Sequence, residues 1–436
     1  MQLDNALEAA RHRHDHRLMV CVTIILEKYM RIITADLLFD GVNEEPLRRP
    51  AIVIENGAIE RVTVQGAAEL PSNGDRIDLP GTTLMPGLID CHIHLIFDGS
   101  PDPVSHLLAE SDHHALVRMT AHARDMLNAG ITTARDLGCR SHLDLEIRRC
   151  IEDGVIPGPR LLCVGQPITV TGGHCHFLGG EADGELEIRK AVRRQHKLGV
   201  DWLKIFATGG HMTPGSNPYH AQYTVEELIA AREEAHRLEH GIAAHCHGTE
   251  GVRRAVKAGV DTLEHCSFQK SGGLDLDERV IEQIVAKGIY VSPTITKNAI
   301  NPSAEALARM PAGMRETQQV RLQALAKAGA KFISSTDCGI PNNPHTALPT
   351  SLEALARLSG LSNYEVLLST TSRAAEALRI GGVTGTLVAG MHADLIAVRG
   401  NPLEDITAVQ RPALVMKGGT IYRQEQTAVP VGTGTV

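Results

Sequence analysis

The 436-residue chain carries 43% hydrophobic and 22% charged residues, a globular balance with length for one large domain and a smaller companion. Its net charge of −8 and 3% aromatic content argue against nucleic acid as a main partner, because phosphate binding needs clustered Lys and Arg and base stacking needs aromatic platforms. Nine scattered cysteines without a C-x-x-C pair read as the reduced thiols of a cytoplasmic protein.

Residues 1–30 are rich in His and Arg and read as a flexible extension, with His12, His14 and His16 in a polar tail. The apolar run at 18–26 is too short to span a bilayer and is followed by Glu27 and Lys28 rather than a cleavage site, so no membrane is expected. From 31 to 83 short strands dominate, and IVIENGAIERV brackets Asn56 and Gly57, a hairpin pair that tolerates positive φ. Residues 380–425 show the same habit in GTLVAGMHADLIAVRGNP and PALVMKGGTIY, which predicts one β-sandwich built from both chain ends. Between 84 and 379 strand-like and helix-like segments alternate. Strands are expected in LMPGLIDCHIH, ITTARDL, RLLCVGQPI, WLKIFAT, IAAHCHG, DTLEHC, IYVSPTI and KFISSTD. Thr224 and Glu227 form a capping box ahead of ELIAAREEAHRLEH, a helix that Gly241 is expected to end. VRRAVKAGV repeats the spacing of a helix facing a sheet. Eight parallel strands with crossover helices predict an α/β fold, a (β/α)8 TIM barrel.

Buried parallel strands should be apolar throughout, yet several of these end in His, Lys or Asp. Barrel enzymes carry their catalytic groups at those ends. His92 and His94 close the first strand two residues apart, on the same side. Lys204, inside WLKIF, is costly to bury unless paired or neutralised. It is either an ion-paired lysine or an ε-amine carboxylated by CO₂ into an anionic bridge between two cations. His245 and His265 end IAAHCHG and DTLEHC, and Asp337 ends FISSTD. His247 shares the side of His245, so spacing leaves either as the ligand. Any one of these reads as a core histidine; their recurrence on successive strand ends points to a metal site.

PGLIDCHIHL, DWLKIFATGG, AAHCHGTEG, AGVDTLEH and SSTDCG resemble the successive strand motifs of the amidohydrolase superfamily, and within it the imidazolonepropionase-like and prolidase-like members. The resemblance covers about residues 30–422. It implies that His92, His94 and Asp337 hold one divalent ion and His245 and His265 a second, bridged by carboxylated Lys204. Nitrogen and oxygen ligands without thiolates suit zinc. The implied chemistry is hydrolysis of an amide C–N bond by a hydroxide shared between the ions, with Asp337 the catalytic group that accepts and returns the proton. The expected substrate is a small-molecule amide: a dipeptide, as for Xaa-Pro dipeptidases, or an N-acyl amino acid. Cyclic amides or imidazolones, carbamates and aryl amides use the same chemistry, and a non-catalytic barrel scaffold is the rival of another class. His174 in TGGHCHFLGG, His211 and Tyr223 in the loop at 207–224, and His247 are expected substrate contacts, with packing before Thr224 the favoured alternative for Tyr223. Arg135 and Asp136 read as a brace or an ion pair, and Cys91, Cys246 and Cys266 as packing residues facing away. A homo-oligomer is compatible with all of this.

Overall fold

A computed structural model of the protein describes residues 30–302 and 314–425. The expected extension, Met30 apart, lies outside the described residues, as does the apolar run at 18–26. The first strands are β1 (Met30–Leu38), β2 (Leu47–Arg48), β3 (Pro50–Glu55), β4 (Ala58–Val64) and β5 (Asp75–Pro86). β3 and β4 form the hairpin, with Glu55 opposite Ala58 and with Asn56 and Gly57 at φ 52° and 81°. β1 lies antiparallel to β3 and parallel to β5.

One residue separates β5 from β6 (Leu88–Ile93), so the expected strand LMPGLIDCHIH is two strands serving different sheets. Gly87 occupies the break because a Cβ there would lie 2.1 Å from Thr132 Oγ1. His94 falls just beyond the end of β6. β6 pairs in parallel with β7 (Ile131–Asp136), and β7 with β8 (Arg160–Cys163). A second parallel set runs β9 (Trp202–Phe206), β10 (Gly241–Gly248) and β11 (Thr262–Lys270); β12 (Gly273–Leu274) folds back antiparallel on β11, and β13 (Tyr290–Ser292) extends the set in parallel. Ile168 joins the two sets, donating its amide to Lys204 O at 2.8 Å and accepting from Phe206 N at 2.9 Å. On the other side, Val291 N donates to Lys331 O at 2.9 Å, while Cys91 N donates to Ser334 O at 3.0 Å and Asp337 N to His92 O at 2.7 Å. Followed from strand to strand, these bonds return to β6.

Between the strands run helices whose signals were local. Thr224 and Glu227 cap Val225–Arg237 reciprocally, at 3.2 and 2.8 Å. That helix ends at Arg237, and Gly241 is instead the first residue of β10. Its lack of a side chain serves packing: a Cβ at 241 would sit 2.4 Å from the Trp202 ring. Thr249–Ala258 is the helix of VRRAVKAGV, closed by Gly259 at φ 77°.

β14 (Leu395–Arg399) pairs antiparallel with β5 and carries β15 (Pro412–Lys417) and β16 (Thr420–Gln424) at the sheet's edge. Both chain ends therefore build one eight-stranded sheet. Alternation along its central strands divides their side chains between two cores. Leu84, Leu395, Ala397, Leu414 and Met416 pack with Ile33, Ile52 and Ile54 in the sheet's own core. Met85, Ile396, Val398 and Val415 join the larger core of the parallel strands and helices. The protein is thus an α/β fold in which the composite sheet abuts the base that supports the site. Among the described residues no helix is long and apolar enough to cross a membrane.

Candidate metal centre

His92, His94, Lys204, His245, His265 and Asp337, contributed by five segments of the chain, line one cleft. Two of them hold the left-handed backbone that residues with a Cβ avoid, His265 at φ 65° and Asp337 at φ 57°. Such positions cost about 1–3 kcal/mol each and persist where the surroundings over-determine them. His92 Nε2 lies 3.3 Å from His94 Nε2, and Asp337 Oδ1 lies 3.3 and 3.4 Å from the same two atoms. Ligand atoms each ~2.1 Å from a tetrahedral ion are separated by about 3.4 Å. The triangle therefore has the dimensions of one face of a metal site. Across from it, His265 Nε2 stands 2.9 Å from His245 Nδ1.

The far nitrogen of each ring is anchored, which fixes the tautomer and leaves the near lone pair free. His92 Nδ1 pairs with Glu264 Oε2 at 2.9 Å, and His94 Nδ1 with Gly138 O at 3.1 Å. His245 Nε2 pairs with Gly209 O at 3.1 Å, and His265 Nδ1 with Thr294 Oγ1 at 2.8 Å. Burial pushes His92, His245 and His265 well below the usual imidazole range and His94 down to about 4. Neutral rings are what a cation requires of its ligands. Burial also raises the Asp337 carboxyl to about 7, with Lys204 opposing and Glu264 reinforcing the shift.

Lys204, 2% exposed, has no hydrogen-bond partner for Nζ, and burial lowers it to about 8 against the pull of Glu264 and Asp337. An orphaned amine in the cleft that holds both imidazole pairs is the feature a pure packing role leaves unexplained. Nitrogen and oxygen donors, neutral rings and an unsatisfied amine together fit divalent ions.

His174, His211 and His247 also line the cleft. The His174 ring lies 5.0 Å from that of His245, with Nδ1 unpartnered. His247 stacks on His265 at 4.4 Å and bonds Ser267 Oγ at 3.0 Å. His245, His247 and His265 offer atoms within 4.8 Å of one another, as do His92, His265 and Asp337, so His247 stays within ligand reach. Tyr223 is not brought there: it is fully buried, and its hydroxyl donates to Ala182 O at 2.8 Å, the packing alternative. Cys91, Cys246 and Cys266 are buried outside the cleft wall, whereas Cys175 is part of it. All eight cysteines among the described residues are free.

Arg135 does not pair with Asp136. Its guanidinium bonds Glu264 Oε1 at 2.9 Å and Cys91 O at 2.8 Å and lies 4.6 Å from the Trp202 ring centroid. Asp136 accepts from Leu95 N at 3.0 Å and Gly138 N at 3.1 Å, and so sets the loop whose carbonyl holds His94. Sequence reasoning passed over Glu264 and Asp90. Glu264 is fully buried and links His92 to Arg135; its signal was an acid in the apolar run DTLEH. Asp90 accepts from His92 N at 3.2 Å and from Thr336 Oγ1 at 2.6 Å, tying β6 to the segment that carries Asp337.

A cleft of this make in an α/β fold defines a candidate metal-dependent hydrolase, and comparison with known proteins agrees. The amidohydrolase family model matches residues 83–422. Ochratoxinase from Aspergillus niger is 34% identical over 91% of this chain and 87% of its own. Imidazolonepropionase from Rhizobium meliloti (strain 1021) is 27% identical over 79% of this chain and 86% of its own. The crystal structure of a Xaa-Pro dipeptidase with methionine bound in its active site superposes with a TM-score of 0.80 at 28% identity, covering 90% of this chain and all of that one. The chain belongs to the amidohydrolase family and is a hydrolase acting on carbon–nitrogen bonds.

Proposed function

We propose that the chain cleaves the amide bond of a dipeptide, Xaa-Pro dipeptides among them, or of an N-acyl amino acid, at a binuclear centre in the mouth of a (β/α)8 barrel. The barrel would span 84–379, with a β-sandwich from 31–83 plus 380–425; the strand-to-strand hydrogen bonds that return to β6 and the sheet shared by both chain ends support this division. The observation that carries the reading is the convergence of four anchored imidazoles, Asp337 and an orphaned buried Lys204 on one cleft. His92, His94 and Asp337 would hold one ion, His245 and His265 the other, with carboxylated Lys204 between them. The lowered amine of Lys204 favours reaction with CO₂, because the neutral amine is the nucleophile. Zinc suits the donor set.

When bound, the ions would supply Lewis acidity to the substrate carbonyl and to the attacking water. The chain's own residues do the rest. Asp337, which stands against His92 and His94, would take the proton from water and return it to the leaving nitrogen. His174, His211 and His247 line the cleft and would contact the substrate, His174 at its carbonyl. A relative with an amino acid in its active site supports the amino-acid amide. The imidazolonepropionase relative supports ring opening of a cyclic amide as the second reading. Buried, unpaired thiols support a cytoplasmic protein acting on small molecules, as a monomer or homo-oligomer.

Metal analysis of protein purified with zinc and bicarbonate, followed by hydrolysis of a dipeptide and N-acyl amino acid library, tests this. About two ions per chain and turnover of a subset are expected. Turnover confined to cyclic amides would favour the second reading, and protein without bound metal would overturn both.

A further inference from the structure

Arg321 has no part in the chemistry above. It sits on the helix Met314–Lys327, is 3% exposed, and lines the same cleft as the histidines. Its Nη1 donates to the His265 carbonyl and, at 3.4 Å, to Ser267 Oγ, while its Nε has no hydrogen-bond partner. Burial draws its guanidinium down to about 10, and no carboxylate among the described residues pairs with it. A guanidinium buried without a counter-ion is expensive, and a fold that only needed packing there would use an apolar side chain.

A second feature is the lining of the cleft. Among the described residues that line it, Asp337 is the sole acid and it stands against His92 and His94, so no lining carboxylate is left for Arg321. Phe97, Phe206, Met212 and Leu274 supply apolar wall beside them. An occupant with one anionic group and an apolar body matches both features, and a guanidinium fork is suited to a planar carboxylate.

We propose that Arg321 receives the free carboxylate of the substrate, which makes the substrate an acidic amide, an N-acyl amino acid or a dipeptide, rather than a neutral one. This rests on the reading of the cleft as the amide-hydrolysing site. The residue determines specificity and takes no part in bond breaking.

The test uses N-benzoyl-L-phenylalanine and N-benzoylphenethylamine, which keeps the amide and the ring but lacks the carboxylate. Metal-loaded full-length protein should prefer the acid by roughly 100-fold in kcat/KM. Arg321→Met should raise KM for the acid by about 100-fold with kcat within a few-fold, and leave kcat/KM for the neutral compound unchanged. Arg321→Lys should recover part of the loss. Equal wild-type preference for the two compounds overturns the proposal, as does an equal loss on both in Arg321→Met. Calorimetric titration with N-benzoyl-L-phenylalanine separates this from failure of the hydrolytic reading. If neither compound is turned over, the dipeptide and N-acyl amino acid library decides the hydrolytic reading, and Arg321 is judged by binding. Weakening by about 100-fold in Arg321→Met supports it; unchanged affinity, or no binding by the wild type, overturns it. Should Arg321→Met not fold, the wild-type ratio and Arg321→Lys decide.

Discussion

The composite sheet and the parallel strands it abuts are both buried, but they spend burial differently. The sheet's own core is an apolar cluster from Ile33 and Ile52 to Leu414 and Met416, its strands bury only a few polar side chains, Arg31, Thr82 and Thr83 among them, and the hairpin's positive φ falls on a turn pair suited to it. Among the parallel strands, burial is given to Asp90, His92, Arg135, Lys204, His245 and Glu264, and positive φ falls on His265 and Asp337. One region follows the rules that stabilise; the other breaks them in one place and holds the breaches with hydrogen bonds. Local rules that fail together at one end of a strand set mark function, because each failure alone would be removed at a gain in stability.

This contrast can be broken at either side. Asp337→Asn should lower kcat by roughly 10²–10⁴-fold with metal content retained, read by steady-state kinetics and elemental analysis. Unchanged turnover would remove Asp337 from its role. Ile52→Ala should do the reverse: a loss of about 2–5 kcal/mol in denaturant unfolding, with kcat/KM of the folded enzyme unaltered. A large effect on turnover would show that the sheet is not merely a support. Glu264→Gln probes the boundary between the two behaviours. It leaves the Arg135 charge unpaired and loosens the hold on His92, so metal affinity should fall about 10- to 100-fold. Melting temperature should fall as well, even in metal-free protein; a change in neither quantity would reduce Glu264 to a bystander.

The smallest expected effect lies on the outer helices. Glu234 is bonded by Arg193 at 2.7 Å and by Arg237, which holds its carboxyl down to about 2. Its unfolded value is about 4.3, so the stabilisation is fully present above that pH and is lost as pH falls towards about 2. Glu234→Gln should therefore be less stable than wild type at neutral pH, with the gap closing across that window. A gap independent of pH would assign the loss to packing.

Period and punctuation were legible along the chain. The histidines two apart at the end of β6, the lysine inside WLKIF and the ligand-like residues at strand ends stood out because a parallel strand has a known pattern to violate. The Asn56 hairpin and the Thr224 capping box were equally local. Gly241 shows the limit: a glycine after a helical run reads as a cap, yet its reason is the Trp202 ring from another strand.

By itself the sequence determined the α/β alternation, the candidate metal ligands and the membership of both chain ends in a β-rich part. Only the tertiary structure decided what braces those ligands and what faces them. Glu264 meets His92 across 172 residues, and Arg321 reaches the cleft from a helix whose sequence carries no mark of it. The reason is physical: periodicity reports which side of its own element a residue occupies, whereas the cost of a buried charge depends on neighbours that only the folded chain supplies.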